Sequence, residues 1–447
     1  MELTGTSGQP ANLLQHNGLR QRRTLLALIL ATLVPPAGLL MLLRLYYVDI
    51  PFWDEWEYML ILPKSYDGTL SLSDLFALHN EHRLFFPRII MLGLARLTHW
   101  NMVYETGAAA VFAAGAFGLV LWQLRATGRA LGRDLVLLAP VLSLVHFSLS
   151  QWQNWFMPCQ FLMFFNLLAV VGTVMVLSRP ELGWRHMAGA LVLGIVASYS
   201  FANGLSVWPI GVLCLMVAAG GTRRWTYASA WCVLGAIVVA LYFRGYESPA
   251  YHPSPWETLR EPWRYVVYML QYLGAPVVNY DGYGAAAGGL VGLTILVACS
   301  YVLIPRVGAR ALAPYWGLAL YAICGAATTG FGRLNFGMDQ AMSSRYITVG
   351  NLLWVCDAVL VFLAVRSGRG RLLASVAAVA FVVLAAFNSL YGTLKWTERY
   401  EFRLPARGEL ISGGMNEDLL QRLHPNPRVV IERREILKKY GLGVFRE

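Results

Sequence analysis

Long apolar runs dominate this chain. Stretches of about 20 residues, each enough to cross roughly 30 Å of hydrocarbon, recur almost from end to end. They fall near 24–46, 101–124, 134–149, 158–178, 186–202, 204–220, 225–243, 284–304, 311–330, 346–365 and 373–394, about eleven in all. Hydrophobic residues fill 57% of the 447 positions and mean hydropathy is +0.50, beyond the range of an ordinary soluble globule. The expected fold is an all-α polytopic membrane protein.

Basic residues set the orientation, because arginine-rich short loops stay on the cytoplasmic side. With the N-terminus inside, alternate connections carry Arg125, Arg129, Arg133, Arg179, Arg185, Arg223, Arg224, Arg306, Arg310, Arg366, Arg369 and Arg371, opposed only by Glu181 and Asp134. The formal charge of +11 is dispersed among these loops. It points to topology and anionic lipid, not to nucleic acid. The first span is longer than a signal-peptide core and lacks a small-residue cleavage site, so it is expected to remain as an anchor. Six cysteines lie in or beside separate spans with no paired spacing, supporting neither a disulfide framework nor a zinc site.

Residues 1–19 are polar and are expected to be a disordered cytoplasmic lead. Pro35 and Pro36 should kink the first span, since proline removes a backbone donor and crowds the preceding turn. The outer loop 47–100 is too apolar to float freely. Leu72, Leu75, Phe76 and Leu78 recur at helical spacing and predict an interfacial helix. A second one is expected over 254–273, with Trp256, Leu259, Trp263, Val266, Val267 and Leu270 on one face. Residues 395–447 should form a small appendage, outside by parity, although Lys395 and Arg399 argue the other way. No repeat of 20–50 residues is evident.

Two polar clusters stand out in that outer loop. Asp54 and Glu55 follow the first span within Pro51–Tyr58; a carboxylate there could take the proton of an acceptor hydroxyl, and spacing does not choose between them. The plainer reading is an acidic loop among aromatic-belt residues Trp53, Trp56 and Tyr58. In His79-Asn80-Glu81-His82-Arg83, helical spacing would put His79, His82 and Arg83 on one face, suited to a phosphate. Metal ligation by the two histidines and Glu81, or a merely solvated turn, fits the same pattern, so a divalent cation is left open. Gln151 and Asn154 at the end of the third span, and Asn203 between the fifth and sixth, could bind sugar hydroxyls or serve as belt and turn residues. Between Gly330 and Tyr346, Arg345 is the best second phosphate clamp, with snorkelling as its alternative. Asp357 lies too deep to meet a headgroup and is expected to be hydrogen-bonded in the bundle.

With these motifs the chain resembles the GT-C superfamily of membrane glycosyltransferases, including the protein O-mannosyltransferase and aminoarabinose-transferase branches. Phe52-Trp53-Asp54-Glu55 matches the acidic motif after the first span, and His79–Arg83 with Pro87-Arg88 takes the place of a His/Pro segment before the second. A His-Pro-Pro run is lacking. The resemblance covers residues 24 to about 280 and implies a catalytic membrane module there, variable spans over 281–394 and the tail beyond. It implies Asp54, supported by Glu55, as catalytic base. His79, His82, Arg83 and Arg345 would hold the donor phosphate, and Asn80, Glu81, Gln151, Asn154, Asn203 and Tyr346 would contact substrate. The implied reaction is inverting transfer of a sugar from a polyprenyl-phosphate donor to a cell-surface glycan or lipid-linked acceptor, outside a bacterial inner membrane. A flippase of lipid-linked glycans and an O-antigen polymerase or ligase are the alternatives.

Overall fold

The computed structural model describes residues 10–218, 220–247, 255–365 and 369–446. The chain opens with helix α1 (Pro10–Leu45), a 3₁₀ turn at Trp53–Leu60, and the short helices α2 (Leu62–Tyr66) and α3 (Leu72–Phe76). A hairpin of β1 (Leu78–His79) and β2 (His82–Arg83) leads into α4 (Phe85–Thr98) and α5 (Val103–Leu131). Then come α6 (Ala139–His146), α7 (Trp152–Phe156), α8 (Phe161–Leu177), α9 (Trp184–Ser198), α10 (Val207–Ala218) and α11 (Arg223–Phe243). The second half contains α12 (Pro262–Gly274), α13 (Gly282–Val307), α14 (Ala309–Arg333), α15 (Ser344–Ala364) and α16 (Arg369–Ser412), followed by α17 (Glu417–Leu420) and α18 (Pro427–Tyr440).

Among the described residues, nine helical segments are long and apolar enough to cross a membrane, which makes this an all-α multi-pass membrane protein. The spans expected fifth and sixth are instead α9 and α10, of 15 and 12 residues. Their rise is about 22 and 18 Å, short of roughly 30 Å of hydrocarbon. The turn between them, Tyr199–Ser206, forms part of a cavity floor. Gly204 makes that turn possible: a Cβ there would sit 2.0 Å from the Ala197 carbonyl oxygen. Asn166 donates to the same carbonyl at 2.8 Å, and Tyr321 donates to Asn166 at 2.6 Å, so α8 and α14 brace the turn.

Of the nine spans those in α8 and α15 are the most buried, while those in α1, α13 and α16 are mostly exposed. The polar group expected to cap the third span lies within it. Gln151 donates to the His146 carbonyl at 2.6 Å and accepts from Thr348 at 2.5 Å, and Asn154 donates to the Arg345 carbonyl at 2.8 Å. These bonds fix the start of α15. At its other end Arg133 donates to the carbonyls of Leu363 and Val365, at 2.7 and 3.1 Å, in C-terminal capping by a cation. The arginine-rich loops and the loop 47–100 thus lie at opposite ends of the bundle.

Several expectations meet a different local structure. Residues 1–9 of the polar lead lie outside the described residues, and helix begins at Pro10. Pro35 and Pro36 sit inside α1 without ending it. The predicted interfacial helix near 72–78 is only five residues, because the chain turns into the hairpin at Leu78. The second one spans Pro262–Gly274 and exposes Trp263 and Val266 as expected, with Trp256 exposed just before it; its other face buries Tyr268, Gln271, Tyr272 and Leu273. The tail packs on the loop 47–100: Gly443 N–H donates to the His99 carbonyl at 2.9 Å, and the Tyr440 hydroxyl to Asp67 at 2.8 Å. It therefore shares a side with Asp54, despite Lys395 and Arg399.

Candidate active site

Above the α9–α10 turn lies a cavity of about 420 Å³. Its walls are the turn after α1, the hairpin, the start of α8, the end of α11, the end of α14 and the start of α15. The polar lining includes Asp54, His79, Asn80, Glu81, His82, Asn203, Thr328, Arg333 and Arg345; Leu162, Met163, Phe201, Leu205, Phe243 and Phe331 supply apolar surface.

The tight winding at Trp53–Leu60 separates the adjacent carboxylates. Successive residues in a 3₁₀ helix point about 120° apart, so Asp54 and Glu55 cannot face the same way. Asp54 lines the cavity and makes no hydrogen bond or ion pair among the described residues. Glu55 is fully buried and accepts from the Phe52 N–H at 2.8 Å and the Cys159 N–H at 3.1 Å. It ties the loop to the turn just before α8 and does not line the cavity, which corrects the pairing of both carboxylates in catalysis. Beside it Arg403 lies between the rings of Phe52 and Phe156, 4.7 and 4.6 Å from their centroids, and donates to the Ile50 carbonyl at 2.9 Å.

Burial raises the Glu55 carboxyl to about 7, against the lowering pull of Arg403 and the two backbone N–H groups. The folded state therefore holds this proton better than the unfolded chain, whose ordinary value is 4.5. The resulting stability is complete below pH 4.5 and is lost as pH rises through about 7. At roughly 1.4 kcal/mol per pH unit this amounts to about 3 kcal/mol. The lowered His79 and His82 act in the opposite sense as pH rises from 5, so the check is the difference between variants: raising the pH from 5 to 8 should lower the melting temperature of detergent-solubilised wild type relative to that of Glu55→Gln.

The cluster His79–Arg83 is a hairpin and not a helix, and this redistributes its side chains. Asn80, at φ +51°, makes the turn, and His79 pairs with His82 across the strands. Cross-strand partners share a face and the next residue takes the other, so both histidines line the cavity while Arg83 turns away. The Arg83 guanidinium donates to the carbonyls of Tyr242 and Arg244, both at 2.6 Å, and of Phe76 at 2.7 Å. The Tyr242 hydroxyl donates to the Glu81 carbonyl at 2.9 Å. Arg83 is thus a buried strut joining the hairpin to α11, not a phosphate ligand.

Within the cavity, Glu81 forms an ion pair with Arg333, and its carboxylate lies 3.6 Å from His82 Nε2. Burial opposes ionisation of Glu81, but His82 and Arg333 outweigh it and hold the carboxyl at about 2. Burial lowers His82 to about 4, leaving it neutral at pH 7. Its Nδ1 accepts from the Ala202 N–H at 3.3 Å, so Nε2 carries the proton. The ring stacks on Phe201 at 4.1 Å. Burial likewise lowers His79, against an opposing pull from Asp54.

Arg345 is held by the Ser343 hydroxyl at 3.3 Å and lies 5.5 Å from the Tyr346 ring centroid; among the described residues it has no carboxylate partner. Tyr346 stacks on Tyr272 at 5.4 Å, and Asn203 accepts from Thr328 at 3.2 Å.

Of the residues singled out from the sequence, Asp54, His79, Asn80, Glu81, His82, Asn203, Arg345 and Tyr346 meet in this cavity. Glu55, Arg83, Gln151 and Asn154 do not; each is bonded within the scaffold. Arg333 and the aromatic wall of Phe201, Tyr242 and Tyr246 were missed as site residues. An arginine on the acid-bearing side was a signal for Arg333, but nothing marked a partner 252 positions away. No three His, Cys, Asp or Glu side chains among the described residues gather as a metal-binding group. Asp357, expected to be hydrogen-bonded, has both carboxyl oxygens buried without a partner among the described residues, deep between α13 and α15.

The chain matches no protein-family model and no curated protein. Its class, a multi-pass helical membrane protein with an acid-and-arginine cavity at one end of the bundle, rests on the fold and the site alone.

Proposed function

We propose that this protein is an inverting glycosyltransferase of GT-C type, moving a sugar from a polyprenyl-phosphate donor to a glycan or lipid-linked acceptor on the extracytoplasmic side. One observation carries this reading. Among the described residues Asp54 has no hydrogen bond or ion pair, and it faces the same cavity as Arg345, which has no carboxylate partner among them. A base needs an open lone pair and a departing phosphate needs a cation, and few other chemistries call for both in a recess of membrane helices.

In the proposed step Asp54 takes the acceptor's hydroxyl proton as that oxygen bonds to the anomeric carbon. The bond from that carbon to the phosphate oxygen breaks on the opposite face, and its electron pair leaves with the polyprenyl phosphate. Attack from the face opposite the leaving group inverts the anomeric centre. Arg345 stabilises the developing phosphate charge, and neutral His82 can add one N–H donor through Nε2. The apolar wall of Leu162, Met163 and Phe243 suits the first isoprene units.

The test is purified protein with a panel of polyprenyl-phosphate hexoses and pentoses and a sugar-alcohol acceptor. Released polyprenyl phosphate together with a product of inverted anomeric configuration is expected. Movement of intact lipid-linked sugar across vesicles without a new glycosidic bond would replace this reading with that of a flippase.

A further inference from the structure

We infer that the C-terminal appendage positions Asp54 and that Arg433 is the residue through which it does so; this rests on the reading of Asp54 as the base. The turn carrying Asp54 is bound from two sides. On the bundle side, Glu55 bonds to the Cys159 N–H of the α8 approach. On the tail side, the Trp53 N–H donates to the Leu423 carbonyl at 2.8 Å, and Arg433 donates to the Trp56 carbonyl at 2.6 Å and to the Glu57 carboxylate at 2.9 Å. Residues 53, 55, 56 and 57 are therefore all tied, and of residues 53–57 only Asp54 lines the cavity.

The turn needs such ties. Trp53 has φ +52°, a left-handed conformation disfavoured for a bulky side chain, which persists only when its surroundings over-determine it. The tail can supply that constraint because it is folded. Leu420, Leu423, Val430, Leu437 and Leu442 are fully buried, and Arg434 donates to the Gly414 carbonyl at 2.9 Å, closing α18 onto the end of α16. Further anchors, from Tyr440 to Asp67 and from Arg446 to Asp49, hold the tail on the same outer loop. Arg433 itself is partly exposed, so it can be replaced without opening that core.

A base displaced by about 1 Å can lose on the order of 100-fold in rate. Arg433→Ala should therefore lower kcat by roughly 10- to 100-fold with little change in the donor KM. Arg433→Lys should recover part of the loss, since an ammonium can still donate to the Trp56 carbonyl. Arg428→Ala, at an exposed position on the same helix, should match wild type. A readout independent of activity is amide hydrogen exchange over residues 53–57. It should be about tenfold faster in Arg433→Ala and unchanged in Arg428→Ala.

Wild-type kcat and exchange in Arg433→Ala would overturn the inference. So would an activity loss that follows a lowered melting temperature and shows no recovery with lysine. Asp54→Asn is assayed beside these variants. If it is inactive while Arg433→Ala is normal, the positioning role fails and the base stands. If it keeps wild-type turnover, the base assignment fails, and the catalytic part of this inference with it.

Discussion

Asp54→Asn lowers released polyprenyl phosphate by roughly 10²- to 10⁴-fold, the usual contribution of a positioned general base. The protein should otherwise be unaltered. Asp54 makes no hydrogen bond or ion pair among the described residues, so an isosteric amide breaks no scaffold contact. Its stability should change by no more than a neutral surface substitution does, about 0.5 kcal/mol, so its melting temperature should stay close to wild type. Turnover and melting measured on one preparation separate a missing base from a damaged fold. Near-normal turnover in Asp54→Asn would remove the base. The contrast with Glu55 makes the comparison sharp, because replacing Glu55 disturbs the bonds to Phe52 and Cys159 and should act on stability first.

Arg345→Gln is expected to cost about 10²- to 10³-fold in kcat, the scale seen when one preorganised donor to a developing negative charge is removed. The loss should fall on kcat more than on donor KM, because the phosphate ester gains charge as its bond to the sugar breaks. Arg345→Lys should fall between, keeping the charge but losing the planar fork. Arg333 cannot fully substitute, since the Glu81 carboxylate already pairs with it. If kcat and KM were both unchanged in Arg345→Gln, the phosphate would have to be held elsewhere in the cavity.

How much of the site could be read in advance depended on the period of the local structure. His79, His82 and Arg83 share a face only in a helix. In a hairpin with Asn80 at the turn the period is two, which keeps the histidines together and sends the arginine to the carbonyls of Tyr242, Arg244 and Phe76. The acidic pair behaved similarly. Two adjacent carboxylates looked equivalent until the 3₁₀ turn aimed one into the cavity and the other at backbone N–H groups. Gln151 and Asn154 could be read as sugar ligands or as belt and turn residues because amides near a membrane exit carry no mark of direction; their actual partners include Thr348 and the Arg345 carbonyl, about 190 residues away.

The all-α, multi-pass character and the approximate places of nine of the expected spans followed from apolar run length alone, since hydrocarbon leaves each backbone segment to satisfy itself and a helix does so locally. The same local physics placed Asp54 at a span exit and the arginines in the short loops. Which polar groups meet is a different matter. The Glu81–Arg333 pair, the recess above the short α9–α10 turn and the grip of the tail on Trp53 and Trp56 each join segments far apart in the chain. Hydrogen bonds and ion pairs depend on distance and angle after packing, and no run length or residue spacing encodes those; only the tertiary structure decided them.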